Sequence, residues 1–144
     1  MFKISQKYDT FLGNEVEETF RFNFTETELL KLAEKDELFN ADILAAIIQS
    51  ENTLEMYKMI RKLVLLSYGV LSEDGKHFRK TDQIRDDFEQ SAAFDPIIDR
   101  LVGGSDTNFI SEFIVGIFPS KFANEIKNRT TNITSIEDLK NIQK

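Results

Sequence analysis

At the start of the chain, Phe2, Ile4 and Tyr8 alternate with polar residues, and Leu12-Gly13-Asn14 then supplies a turn, since Gly and Asn accept positive φ. The return segment places Phe20, Phe22 and Phe24 on one face and Thr19, Arg21 and Asn23 on the other. A period of two marks half-buried strands, so residues 1–24 are predicted to form a β-hairpin. A lone hairpin is marginal in water, so its Phe face requires helices to pack against.

From residue 25 onward the period changes to that of helices. Thr25 and Glu28 match a capping box and predict a helix from about Glu26 to Lys35 with Leu29, Leu30 and Leu32. A second helix is expected near Asp42, with Ile43, Leu44, Ile47 and Ile48 at helical spacing. Asn52 and Glu55 form another capping pair, opening a helix whose stripe is Leu54, Tyr57, Ile60, Val64 and Tyr68, widened by Leu63 and Leu66 and stopped by Gly69. Ser72 to Lys76 is a polar turn and His77 to Lys80 suits an extended segment. Thr81 caps a helix with Ile84 and Phe88. Pro96 sits in the first turn of the next, which carries Ile97, Ile98 and Leu101 and ends at Gly103-Gly104. Ser105 or Asp106 caps a helix with Phe109, Ile110, Phe113, Ile114 and Ile117, stopped by Pro119. Phe122 and Ile126 predict one more helix, and Ser135 to Gln143 a short terminal one.

The pattern therefore predicts an α+β fold, mainly helical, with an N-terminal β-hairpin on a bundle of about five to seven short helices. The expected organisation is a single domain over 1–127, its hairpin at 1–24 and its helical part at 25–127. A weakly patterned segment, 128–144, follows as a short helix or a flexible tail.

Composition narrows the function. The chain has 144 residues, 25 acidic and 18 basic, for a net charge of −7. Such a balance disfavours nucleic acid, whose phosphates call for an excess of Lys and Arg. Cysteine is absent and there is one histidine, which removes thiolate chemistry and leaves little for acid–base work near neutrality. No apolar run approaches the roughly 20 residues of a membrane-spanning helix, and no h-region follows the first residues. Thirteen phenylalanines with no tryptophan, mostly at periodic positions, indicate a Phe-rich core.

Chemistry-bearing constellations are weak. The carboxylate pairs Glu17-Glu18, Asp36-Glu37, Asp86-Asp87 and Glu137-Asp138 are sequence neighbours that point apart on a helix. Ser72-Glu73-Asp74-Gly75 lacks the ligand spacing of a calcium loop, and Gly103-Gly104 lacks the lysine of a phosphate loop. His77 lies among Lys76, Arg79 and Lys80 without a second ligand. The expectation is no catalytic residue, no metal and no cofactor.

The order of the pieces is more specific. Tyr8-Asp9-Thr10-Phe11-Leu12-Gly13-Asn14-Glu15 leads to Glu18-Thr19-Phe20-Arg21-Phe22-Asn23-Phe24-Thr25-Glu26-Thr27-Glu28-Leu29. Tyr68-Gly69-Val70-Leu71-Ser72-Glu73-Asp74-Gly75 and Phe78 follow mid-chain, then Phe88-Glu89-Gln90-Ser91-Ala92-Ala93-Phe94 and a closing Gly116-Ile117-Phe118-Pro119. Over residues 8 to 120 this resembles the tail assembly chaperones of long-tailed, siphovirus-type bacteriophages. It departs from their pattern at Val70-Leu71, where a charged or polar residue is common.

The resemblance implies a non-enzymatic factor of the host cytoplasm that is absent from the mature virion. It would bind the tape-measure protein, keep it soluble and recruit tail-tube protein, with self-association as a further expectation. It also implies that this chain is the shorter of two forms, the longer made by ribosomal frameshifting. Phe78, Phe94, Phe109, Phe113, Ile117 and Phe118 are the candidate partner-binding residues, read as core or as client groove. A structural component retained in the virion is the alternative.

Overall fold

The computed structural model describes residues 1–49, 53–104 and 107–130. The expected caps at Asn52 and at Ser105 or Asp106, and the terminal helix at Ser135 to Gln143, lie outside these residues.

The hairpin forms as the alternation predicts. Strand β1 (Phe2–Asp9) pairs antiparallel with β2 (Glu15–Phe22) from Phe2↔Phe22 to Asp9↔Glu15. The turn closes through Thr10 N–H to Asn14 O and Gly13 N–H to Thr10 O, both 2.8 Å, with Gly13 at φ 90°. The hairpin is only half of the sheet. Strand β3 (Tyr68–Leu71) adds to β2 through Arg21↔Gly69 and Phe22↔Tyr68, and β4 (Phe78–Arg79) adds to β3, giving the order β1-β2-β3-β4.

The helices are α1 (Glu26–Lys35), α2 (Ala41–Ile48), α3 (Thr53–Ser67), α4 (Asp82–Glu89), α5 (Phe94–Val102), α6 (Thr107–Gly116) and α7, residues 120–130. Local chemistry sets several starts. Thr25 and Glu28 make both bonds of the capping box, Asn40 accepts from the N–H groups of Asp42 and Ile43, and Thr81 accepts from Ile84 N–H. The fold is thus α+β and mainly helical.

Helix α3 corrects the expected stripe. Its buried positions are Ile60, Leu63, Val64 and Ser67, whereas Leu54 and Tyr57 are 64% and 41% exposed. Gly69 is not the helix stop. The helix ends at Ser67, whose Oγ donates to Leu63 O at 2.6 Å, and Tyr68 and Gly69 are already strand. Gly69 is needed for packing: a Cβ there would stand 2.6 Å from the Phe78 ring. Past residue 127, where the sequence pattern fades, α7 continues to residue 130. Arg129 is paired with Asp42 at 2.6 Å, and the Gln49 side chain donates to Thr130 O at 3.2 Å, fastening this end to α2.

The core lies between the inner face of the sheet and the helices. Phe22 is fully buried against Tyr68, Phe88 and Phe113, with ring centroids 5.8, 6.0 and 5.6 Å away. Phe24, just past β2, packs on Phe39 and stacks on Phe118 at 5.2 Å. Its N–H donates to Ile117 O at 2.7 Å. At the edge of the sheet, Arg100 lies 4.4 Å over the Phe109 ring and donates to Ser5 O at 3.0 Å, joining α5 to β1.

One largely shielded charge ties α1 to the start of α4. Lys80 is only 11% exposed and donates to Glu28 Oε2 at 2.7 Å and to Asn23 O at 2.5 Å, with its Nζ 4.7 Å from the Phe24 ring centroid. Burial pulls the Lys80 pKa down, and the Glu28 carboxylate opposes that shift.

On the inner face of the hairpin the Tyr8 hydroxyl donates to Glu18. That bond, with a smaller contribution from burial, raises the Tyr8 pKa from 10.0 to about 12. A raised phenol supplies stability that is complete below pH 10 and is lost as the pH climbs toward 12. We expect one of the three tyrosines to ionise near pH 12 in an ultraviolet phenolate titration, and Glu18→Gln to return it toward 10. Titration of that phenol at its ordinary value in the unsubstituted protein would contradict the bond.

Candidate functional site

The six candidate partner-binding residues divide into core and margin. Phe94, Phe109, Phe113, Ile117 and Phe118 are all buried, the last of them 6% exposed. Phe113 meets Phe2 and Phe22 edge-on, at 5.6 Å in each case, so the apolar face of α6 is covered by the chain's own hairpin. Gly116 permits this approach, since a Cβ there would stand 2.7 Å from the Phe2 ring. Phe94 packs edge-on against Phe88 at 5.3 Å. Phe78 alone is half-buried, with its ring over Gly69. The structure therefore distributes the six through the core and along the sheet and does not gather them into one groove.

Apolar surface open to solvent lies nearby, and Phe11 and Leu12 expose more of it in the hairpin turn. A groove of about 270 Å³ runs between α1 and α7, lined by Leu29, Leu30, Pro119 and Phe122 with Glu26, Lys121 and Glu125 at its rim. Leu30 is 67% exposed. Phe122 is half-buried and meets Phe118 edge-on at 4.9 Å, so the groove floor is continuous with the core. Contiguous exposed apolar surface rimmed by polar residues is characteristic of interaction sites.

The capping box explains why this face is open. Thr25 and Glu28 fix where α1 begins and hence its rotation. Successive helical residues lie about 100° apart, so Leu29 and Leu30 cannot both face one core. Leu29 turns inward and Leu30 outward. That adjacency was the available signal for the groove. Reading Leu29, Leu30 and Leu32 together as one stripe conceals it.

A second apolar groove, of about 230 Å³, lies between α2 and α3, lined by Ile43, Ala46, Ile47, Met56 and Met59 with Glu55. Methionine adapts its shape to varied apolar partners. Both grooves can take up apolar side chains from another chain. Among the described residues no group of three or more His, Asp or Glu side chains is placed to hold a metal ion. His77 is exposed in the turn before β4. No helix among the described residues is long and apolar enough to cross a membrane.

A comparison with protein families matches residues 1–143 to a family described as phage tail assembly chaperone. No curated protein and no solved structure gives a significant match.

Proposed function

Since the chain belongs to the phage tail assembly chaperones, we propose that it binds the tape-measure protein through the α1/α7 groove, keeps it soluble and delivers it to tail-tube subunits. The observation that carries this reading is the solvent-open apolar floor formed by Leu29, Leu30, Pro119 and Phe122. A long helical client presents apolar side chains at i, i+3 and i+4, and a groove between two helices receives such a row. The net charge of −7 keeps the chaperone soluble while it exposes that surface.

In this reading the six candidate residues support the client rather than grip it. Phe118 backs Phe122 directly, and Phe94, Phe109, Phe113 and Ile117 hold the helices that shape the surface. Phe78 covers the far end of the sheet. The protein acts by reversible contact, without cofactor or bond chemistry, in the host cytoplasm, and leaves before the tail is complete.

The test is co-expression with the tape-measure protein of the same phage. The unsubstituted chain should keep that protein in the soluble fraction. The double substitution Leu30→Asp, Phe122→Asp should lose most of this effect, and Leu30→Asp alone should leave the urea midpoint nearly unchanged, because an exposed position contributes within about 0.5 kcal/mol. Precipitation of the tape-measure protein in equal amounts with and without the chain refutes the holdase reading. Recovery of the chain from purified tails by mass spectrometry favours a structural component.

A further inference from the structure

A third concavity, of about 220 Å³, lies between the inner face of the sheet and α4, and shares no lining residue with either apolar groove. Four of its lining residues are aromatic: Tyr8, Phe20, Tyr68 and Phe88. Two are carboxylates, Glu18 and Asp87, both exposed. Val70, Ile84 and Ser91 complete it. We propose that this pocket receives a single cationic side chain, arginine or lysine, from a partner protein.

Three features lead to that ligand class. The aromatic residues form one connected group, with Tyr68 stacked on Phe88 at 4.0 Å and Phe20 5.6 Å from Phe88 and 6.4 Å from both Tyr8 and Tyr68. Aromatic faces attract cations through their quadrupole, and the attraction grows as water is excluded. The two carboxylates supply the opposite charge. Glu18 Oε1 accepts from the Tyr8 hydroxyl and Asp87 Oδ1 from the Gln83 side chain, which orients both groups.

Among the described residues, no Lys, Arg or His lines the pocket. Arg85, the cation of α4, donates from Nε to Leu65 O at 3.2 Å and from Nη1 to Asp82 Oδ1 at 3.0 Å. The pocket is also smaller than the roughly 300–1,000 Å³ of sites for drug-sized ligands, and so suits one side chain rather than a metabolite. A negatively charged aromatic recess, with no cation among its described lining residues, is complementary to a guanidinium or ammonium group carried on an apolar stem.

The ligand is a single side chain, whichever tail protein carries it. Its binding can therefore be tested with no tail protein present. Titrating the full chain with N-acetyl-arginine amide, and following the aromatic signals by NMR, should give saturable shifts at Tyr8, Tyr68 and Phe88. The neutral isostere N-acetyl-citrulline amide should not. Glu18→Gln and Asp87→Asn, both at exposed positions, should each weaken the arginine probe by about two- to fivefold, the range of a solvent-exposed charge pair. Absence of saturable shifts, equal binding of the citrulline probe, or unchanged affinity in both variants overturns the proposal. None of these outcomes bears on the α1/α7 groove.

Discussion

Truncation of Phe113 to alanine is expected to lower the unfolding free energy by about 3–5 kcal/mol, the usual cost of removing a buried aromatic side chain. Phe113 is fully buried in α6 and meets Phe2 of β1 and Phe22 of β2 edge-on. No smaller side chain can maintain both contacts, and the backbone cannot close the space without moving the sheet off the helix. Aromatic pairs of this geometry add about 0.5–1.5 kcal/mol beyond area burial, and two are lost together. A urea titration followed by circular dichroism measures the change. The result also separates two roles for this residue. If Phe113 were a client contact, the variant would keep its midpoint and fail only to solubilise the tape-measure protein. A drop of less than about 1 kcal/mol would contradict the packing described here.

Replacing Lys80 with alanine is expected to cost about 1–3 kcal/mol, because it leaves polar partners in a poorly hydrated place without their donor. The partners are the Asn23 carbonyl and Glu28, which is itself the second half of the α1 capping box. Loss of the ammonium therefore weakens the start of α1 as well as the junction between β4 and α4. Lys80→Met, which keeps the stem over Phe24, should cost less than Lys80→Ala. The pH dependence follows from the sign of the shift. The folded state binds the Lys80 proton less tightly than the unfolded chain does, so the charged form of this lysine supports folding less than its neutral form would. Stability therefore rises as the pH passes through the lowered pKa toward 10.5. The stability gap between the native protein and Lys80→Met should therefore shift in favour of the native protein on moving from neutral to alkaline pH. A gap independent of pH would show that Lys80 is as well hydrated as a surface lysine.

What could be read from the sequence was local. The hairpin declares itself through Phe20, Phe22 and Phe24, and Thr25 with Glu28 and Thr81 with Ile84 place helix starts within a few residues of the chain. Strand β3 escaped because Tyr68 continues the apolar spacing of α3. Its extended form comes from pairing with Arg21 and Phe22, far away in the chain. The site was legible only in part. Periodicity identifies Phe109, Phe113 and Ile117 as one apolar face but does not say what covers it, and Phe109 and Phe113 are covered by Phe2 and Phe22 from the opposite end of the chain. Leu30 and Phe122, which do reach solvent, looked like ordinary members of helical stripes.

Arg100 has a consequence for behaviour in a crowded cell. As the outermost strand, β1 offers unpaired backbone groups along one side, a template on which any extended polypeptide could add itself. Such an edge is a hazard wherever extended polypeptide is present. The guanidinium over Phe109 occupies the Ser5 carbonyl at mid-strand, and Lys3 and Lys7 place charge on either side of it. Side-by-side growth of a fibre is thereby interrupted at its first rung.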